Sequence, residues 1–362
     1  MSYPVYNFSA GPAVLAKDVL AAVALAAVEY KGAGMSLMEM SHRSKPVVSM
    51  FDETEALLRE IMDIPAEYAV LFLQGGASLQ FLMAPMNLAN NDQVVDYTDT
   101  GAWANKAIKE AKAWAKVNVI SSSKDANYSH IPKDFTQSAE AVYLHVTSNN
   151  TIYGTQMKSF PKTTNPNGYL VADMSSDILS REINVRDFGL IYAGAQKNIG
   201  PSGVTVVIVR KDILGKVERK IPTMLDYATH IEAESMFNTP PVFSVYVMNE
   251  TLKWMKANGG IKAMEARNVA KAAKLYAEID ANPLFKSPVA FEDRSDMNVT
   301  FVMNDVALES EFADLCKVRN LTTLAGHRSV GGFRASIYNA MPEAGIDALI
   351  LAMKDFAASK AV

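Results

Sequence analysis

The chain has 362 residues, 49% of them hydrophobic and 20% charged, which is enough apolar surface for a sizeable core and more length than one compact core comfortably uses. A net charge of −4 leaves no global basic field for nucleic acid or an anionic membrane surface, so any anion site must be local. The single cysteine, Cys316, excludes an intrachain disulfide and a zinc site of several thiolates; no metal site is expected, and a reducing cytoplasmic setting fits best.

Met1 to Pro12 lacks the basic start of a secretory signal, and the alanine-rich run Val19 to Val28 is far short of the roughly 20 residues that cross a bilayer. It reads as a helix packed on a domain. Short apolar runs then alternate with longer helical patterns: Tyr68 to Leu73, Val94 to Tyr97, Val117 to Ile120, Ala141 to Val146, Leu170 to Asp173, Gly189 to Ala193 and Val204 to Val209. Runs apolar at consecutive positions, separated by amphipathic segments such as Ala104 to Ala115, suit strands buried on both faces. The expectation is an α/β fold with a mainly parallel seven-stranded sheet and helices on both faces, its ligands lying outside the carboxyl ends of the strands.

Beyond the last of these strands the pattern turns helical. Val242 to Ala257 stops at Asn258-Gly259-Gly260, and Ile261 to Ile279 follows as a second long helix. A smaller α+β unit comes next: strand Asn298 to Met303, helix Leu308 to Arg319, strands Thr322 to Ala325 and Phe333 to Ile337, and terminal helix Glu343 to Ala358. The expected division is a large domain over 16–258 and a small C-terminal domain over 259–362.

One lysine stands out. Lys197 lies in Ala195-Gln196-Lys197-Asn198, a turn between two apolar strand-like runs, where a partly dehydrated amine can form a Schiff base with a cofactor carbonyl. Asp173 ends its own apolar run; it either caps the next element or pairs with a protonated pyridine nitrogen. Gln74-Gly75-Gly76-Ala77-Ser78 is a strand-to-helix turn whose glycines would let a phosphate approach free N–H groups. It is neither a Walker loop nor a dinucleotide fingerprint. Trp103, just past another strand, is a core indole or a ring on which a flat cofactor stacks. Two of the five histidines precede arginine in Gly/Ser-flanked turns, Ser41-His42-Arg43 and Gly326-His327-Arg328, the second followed by Arg334. Such clusters suit carboxylate or phosphate.

In order and spacing, these motifs resemble the phosphoserine aminotransferase family, class-V members of the fold-type I pyridoxal phosphate enzymes. The resemblance also takes in Asn7-Phe8-Ser9-Ala10-Gly11-Pro12 and Ser36-Leu37-Met38-Glu39-Met40, and it runs to the C-terminal helix. It implies that Lys197 carries pyridoxal 5′-phosphate as the Schiff base, that Asp173 faces the pyridine nitrogen and that Trp103 stacks on the ring. Ala77, Ser78 and Gln196 would hold the cofactor phosphate, and Thr151 would make a ring-side contact. Asn238 and Thr239 would reach the phosphate of a neighbouring subunit, which implies a homodimer with shared active sites, and residues 1–15 would pack with the small domain. Arg334 would clamp the substrate α-carboxylate, while His42, Arg43, His327 and Arg328 hold the distal anion. Some relatives carry arginine where this chain has Ser78.

The implied reaction is reversible transamination of 3-phosphohydroxypyruvate with L-glutamate, giving O-phospho-L-serine and 2-oxoglutarate in serine biosynthesis. A related phosphorylated keto acid of vitamin B6 synthesis is a further candidate. Rival readings are a class-V transaminase of the alanine–glyoxylate type, a cysteine desulfurase, a nicotinamide dehydrogenase, or a non-catalytic phosphometabolite-binding protein in which Lys197 merely touches an anion. The desulfurase needs a mobile nucleophilic thiol, and Cys316 falls inside a helical pattern. The dehydrogenase needs a glycine fingerprint that the chain lacks.

Overall fold

Alternation within the central strands shows why they form a two-faced sheet. In β2 (Tyr68–Leu73) every residue is buried. Val70 and Phe72 enter one apolar cluster, whereas Ala69, Leu71 and Leu73 enter another on the opposite face. In β10 (Thr205–Arg210), Val206 and Ile208 face the first cluster and Val207 and Val209 the second. This is the period-two geometry of a strand with a helical layer on each side. The computed structural model describes residues 4–360; the outermost residues of the expected 1–15 and 259–362 units, 1–3 and 361–362, lie outside the described residues.

In chain order the elements begin with β1 (Tyr6–Asn7), α1 (Lys17–Val28), α2 (Lys45–Met62), β2, α3 (Gly76–Leu88), β3 (Val94–Asp99), α4 (Ala102–Ala111) and β4 (Lys116–Ser122). Then come β5 (Tyr143–Thr147), the short pair β6 (Asn149–Asn150) and β7 (Thr155–Gln156), β8 (Tyr169–Asp173), β9 (Phe188–Gly194) and β10. The seven-stranded sheet has the order β2-β10-β9-β8-β5-β3-β4. Its neighbours are parallel except around β10, which runs antiparallel to both β2 and β9. The expected architecture is therefore present. One strand departs from expectation: β4 is an edge strand in which no residue is fully buried, Val119 being 40% exposed, rather than a strand buried on both faces. β2, at the opposite edge of the same sheet, is buried throughout, so what β4 lacks is cover on its faces rather than a second neighbouring strand.

Helices α5 (Tyr227–Glu232), α6 (Val242–Ala257) and α7 (Gly260–Ala281) lead into the last third of the chain. The break between α6 and α7 falls at Gly259 and Gly260, whose φ values of 94° and 69° suit glycine. A three-stranded antiparallel sheet, β11 (Phe285–Lys286), β12 (Asn298–Met303) and β14 (Phe333–Ser336), packs with α7, α8 (Glu309–Val318) and α9 (Glu343–Lys360). Phe301 stacks on Phe333 at 5.3 Å, and Phe312 meets Phe333 edge-on at 5.1 Å. The strand expected over Thr322 to Ala325 is shorter: β13 (Leu321–Thr322) pairs in parallel with β1, and Ala325 only bridges to Phe333. Phe8, next to β1, is fully buried in this third core.

Buried amides and hydroxyls tie the third core to the large sheet. Asn149 Nδ2 donates to Ser176 Oγ and to Asn298 Oδ1, both at 2.8 Å, and Asn298 Nδ2 donates to Ser336 Oγ at 2.9 Å and Tyr338 Oη at 3.1 Å. Lys271 Nζ, buried, reaches three carbonyls, those of Ile337, Tyr338 and Met341. Replacing Asn298 by alanine strands several of these buried groups. The expected cost is about 3 kcal/mol, seen as a lower denaturation midpoint at unchanged slope.

Candidate active site

Five strand ends point at one place. After β2 comes Gln74-Gly75-Gly76, after β3 comes Gly101 and Trp103, after β5 comes Thr151, β8 ends on Asp173, and β9 leads to Lys197. Because β8 and β9 are adjacent parallel strands with Asp173 opposite Tyr192, the aspartate and the lysine leave the same edge side by side. This is the carboxyl edge where open α/β sheets bind ligands.

The Lys197 turn is held at both ends. Ala195 N–H donates to the Val204 carbonyl at 3.0 Å, and Asn198 Nδ2 donates to the Ile178 carbonyl at 2.6 Å while its Oδ1 accepts from Asn339 N–H at 3.0 Å. Gly11 lies so close that a Cβ on it would meet Lys197 Cγ at 3.3 Å. Lys197 is half-buried as a residue, and its Nζ lies 5.4 Å from the Trp103 ring centroid. Burial lowers its pKa, Asp173 opposes that change, and Arg334 adds to it.

Asp173 is buried, and burial raises its pKa against the pull of Lys197 and of Ser175. Ser175 donates to Oδ1 twice, from N–H at 3.0 Å and from Oγ at 2.6 Å. Behind it, Asp177 accepts from Ser148 Oγ and, at 3.2 Å, from Gln156 Nε2. Its carboxyl is also pushed up by burial, against the cation of Arg181. Ser175, Ser148 and Asp177 escaped sequence reasoning. A serine two residues after Asp173 is the local pattern of an aspartate-initiated turn and was a usable signal; the other two are reached only through the sheet.

Trp103 donates from Nε1 to Thr151 Oγ1 at 3.0 Å, and the Thr151 carbonyl accepts from Arg334 Nη1, also at 3.0 Å. Thr151 thus joins the indole to the arginine. Arg334 comes from β14, opposite Thr300, and its buried Nε has no partner among the described residues. Ala77 and Ser78 stand in the first turn of α3, behind Gly75 and Gly76 with φ of 88° and 65°, and no side chain caps that helix. Its leading N–H groups are therefore available to an anion. Gln196 lies beside Lys197, and its carbonyl accepts from Ala13 N–H at 2.9 Å.

Not every expected residue converges within one chain. Arg334, Gly326 and Tyr153 line one cavity, and His327, half-buried nearby, bonds through Nδ1 to Ser329 Oγ at 2.7 Å. Arg328, next along that turn, is exposed. His42 instead lines a separate groove with Met38, Thr239 and Pro240, its Nε2 buried without a partner, and Arg43 beside it is exposed. The Thr239 carbonyl accepts from Gln74 Nε2 of the same chain at 3.0 Å, and Asn238 lines a small cavity with Gln74. Among the described residues no cluster of three or more His, Cys, Asp or Glu side chains is placed to hold a metal.

A cradle of free helix N–H groups, a lysine beside a buried carboxylate, and a pinned indole fit a phosphorylated pyridine aldehyde, as fold-type I enzymes require. The chain belongs to the class-V aminotransferase family, which it matches over residues 5–349. Within that family it is 53% identical to the phosphoserine aminotransferase of Parabacteroides distasonis, over 97% of this chain and 98% of that one. Among solved structures it is similar to phosphoserine aminotransferase from Bacillus circulans subsp. alkalophilus, at 46% identity and TM-score 0.96 over 99% of each chain. It also matches the PLP-bound phosphoserine aminotransferase from Trichomonas vaginalis, at 40% identity and TM-score 0.92 over 97% of this chain and 100% of that one.

The electrostatics make a signed prediction. Because Arg334 lowers the Lys197 pKa, Arg334→Gln raises it, and Asp173→Asn, which removes an opposing charge, lowers it. The pH dependence of Lys197 acylation in cofactor-free protein measures both shifts.

Proposed function

We propose that this chain is a pyridoxal phosphate-dependent transaminase that moves the amino group of L-glutamate to 3-phosphohydroxypyruvate, yielding 2-oxoglutarate and O-phospho-L-serine, reversibly. The observation that carries this reading is Lys197, set beside Trp103 and acted on by the charges of Asp173 and Arg334. When bound, pyridoxal phosphate supplies a carbonyl for the amino group and a ring that spreads the negative charge left at the substrate Cα. Lys197 holds the group and, once free, its Nζ carries the proton to and from that Cα. Burial lowers the lysine pKa, which favours the neutral amine that accepts the proton.

Asp173 would hold a proton on the ring nitrogen, its own orientation fixed by Ser175 through Oδ1. Trp103, pinned by Thr151, would stack on the ring, and Ala77, Ser78 and Gln196 would hold the phosphate. Arg334 binds the α-carboxylate common to both substrates, an arrangement for which its planar fork is suited. The distal anion goes to His327 and Arg328 with His42 and Arg43. Since His42 lines a groove apart from Arg334, these residues complete the pocket across a homodimer, where Asn238 and Thr239 reach the neighbour's cofactor phosphate. Exposed Leu25, Val28 and Met38 favour such an assembly.

The division into 16–258 and 259–362 belongs to the same reading, supported by α7, which sends Met264 into the first core and Leu275, Tyr276 and Ile279 into the third. So does the packing of residues 1–15 with the smaller unit, since Phe8 lies in its core. A cytoplasmic setting fits a chain in which, among the described residues, no helix is long and apolar enough to cross a membrane. A phosphorylated keto acid of vitamin B6 synthesis presents the same two anions and is a second substrate. The desulfurase alternative is disfavoured by Cys316, which is buried in α8 with its thiol pushed up by burial to about 12.

Purified protein is expected to be yellow, glutamate alone should convert its absorption to the amine form, and phosphohydroxypyruvate should restore it. Lys197→Ala should lower turnover by at least about 10³-fold; full turnover in that variant would rule out the lysine. For the shared site, co-expressed Lys197→Ala and Arg43→Ala subunits should regain roughly a quarter of parental activity, because one of two sites in each mixed dimer is whole. No recovery would place Arg43 in its own subunit's site.

A further inference from the structure

Lys106 lies on α4, one turn beyond Trp103, and is exposed. An exposed helical lysine ordinarily pairs with an acid one turn on, and Glu110 stands at that spacing. None of the ion pairs among the described residues involves Lys106. Its Nζ sits instead over the Trp103 ring, 4.3 Å from the centroid, on the indole that Lys197 also approaches. The same charge reaches the 326–331 turn: His327 is held below its ordinary pKa by burial first, then by Arg334, Arg328 and Lys106. Lys106 thus rests on the indole, and its charge is felt at the turn that walls the cavity.

The charges to be matched are unequal. A phosphate monoester carries close to two negative charges at neutral pH, a carboxylate one. Burial and the neighbouring cations disfavour the charged form of His327, and Arg334 is occupied by the α-carboxylate. From this chain, Arg328 and Lys106 are the cations left for the distal end, and Ser78 adds none. A cation resting on a half-buried ring is held more weakly than one hydrogen-bonded to a phosphate oxygen, so the flexible lysine stem is free to swing across.

We propose that Lys106 is a specificity-determining residue: its ammonium leaves the Trp103 ring for the distal phosphate and favours the phosphorylated keto acid over the dicarboxylate. The inference rests on the reading that the site takes phosphohydroxypyruvate. Lys106→Met and Lys106→Arg, tested in the cofactor-loaded full chain, decide it. Lys106→Met is expected to raise KM for phosphohydroxypyruvate about tenfold and that for glutamate no more than about twofold, with kcat nearly unchanged. Lys106→Arg should recover most of the loss, and the parent's advantage should shrink with added salt. Equal KM changes for both substrates, a loss confined to kcat, or no rescue by arginine would overturn the inference. If the parent protein itself does not turn over phosphohydroxypyruvate with glutamate, the substrate reading falls first.

Discussion

Two opposite charges at the ends of adjacent parallel strands are the constraint on which the rest depends. Burial disfavours the ionised form of both Lys197 and Asp173, and each group acts to keep the other charged. In a low-dielectric setting such a balance responds to small displacements, because the attraction is strong and uncompensated burial is costly. The surrounding bonds are consistent with that sensitivity. Ser175 anchors the carboxylate, Asn198 ties the lysine turn to the Ile178 carbonyl and to Asn339, and Asp177 with Arg181 forms a further charged layer behind.

The third core contributes to this balance as well as packing beside it. Arg334 reaches the Thr151 carbonyl from β14 and lowers the Lys197 pKa, so the charge state of the lysine depends on where the smaller sheet sits. Asn298, Ser295 and Tyr338 set that position through buried bonds to Asn149 and to the Ala10 carbonyl. A shift of the smaller unit is therefore also a change in the chemistry available at the strand ends. Binding of a dianionic substrate near Arg334 would offset the same cation.

Much of this was legible in the chain. Strands β2 and β12 and helix α6 begin and end where their apolar runs do, because the two strands are covered on both faces and the helix stops at an Asn-Gly-Gly signal. Lys197, Asp173, Trp103 and Arg334 were found because strand ends and turn residues mark the ligand edge. Edge strand β4 was misjudged, since the cover over a strand's faces depends on what packs there in the fold, which periodicity does not encode. Lys106 was invisible for a related reason: its setting is made by a turn more than two hundred residues downstream. The separation of His42 from Arg334 is likewise a property of the folded monomer and not of the motif.

The opening ribbon of the chain has a consequence for folding. Tyr6 pairs with a strand whose Thr322 is 316 positions away, and Gly11 forms a wall against Lys197. Residues 6–8 thus find partners more than 300 positions later in the chain, contacts that form slowly relative to those of the central sheet. Without that ribbon the large sheet and its lysine would be in place but the third core would lack Phe8 and Lys197 would lack the wall that Gly11 makes.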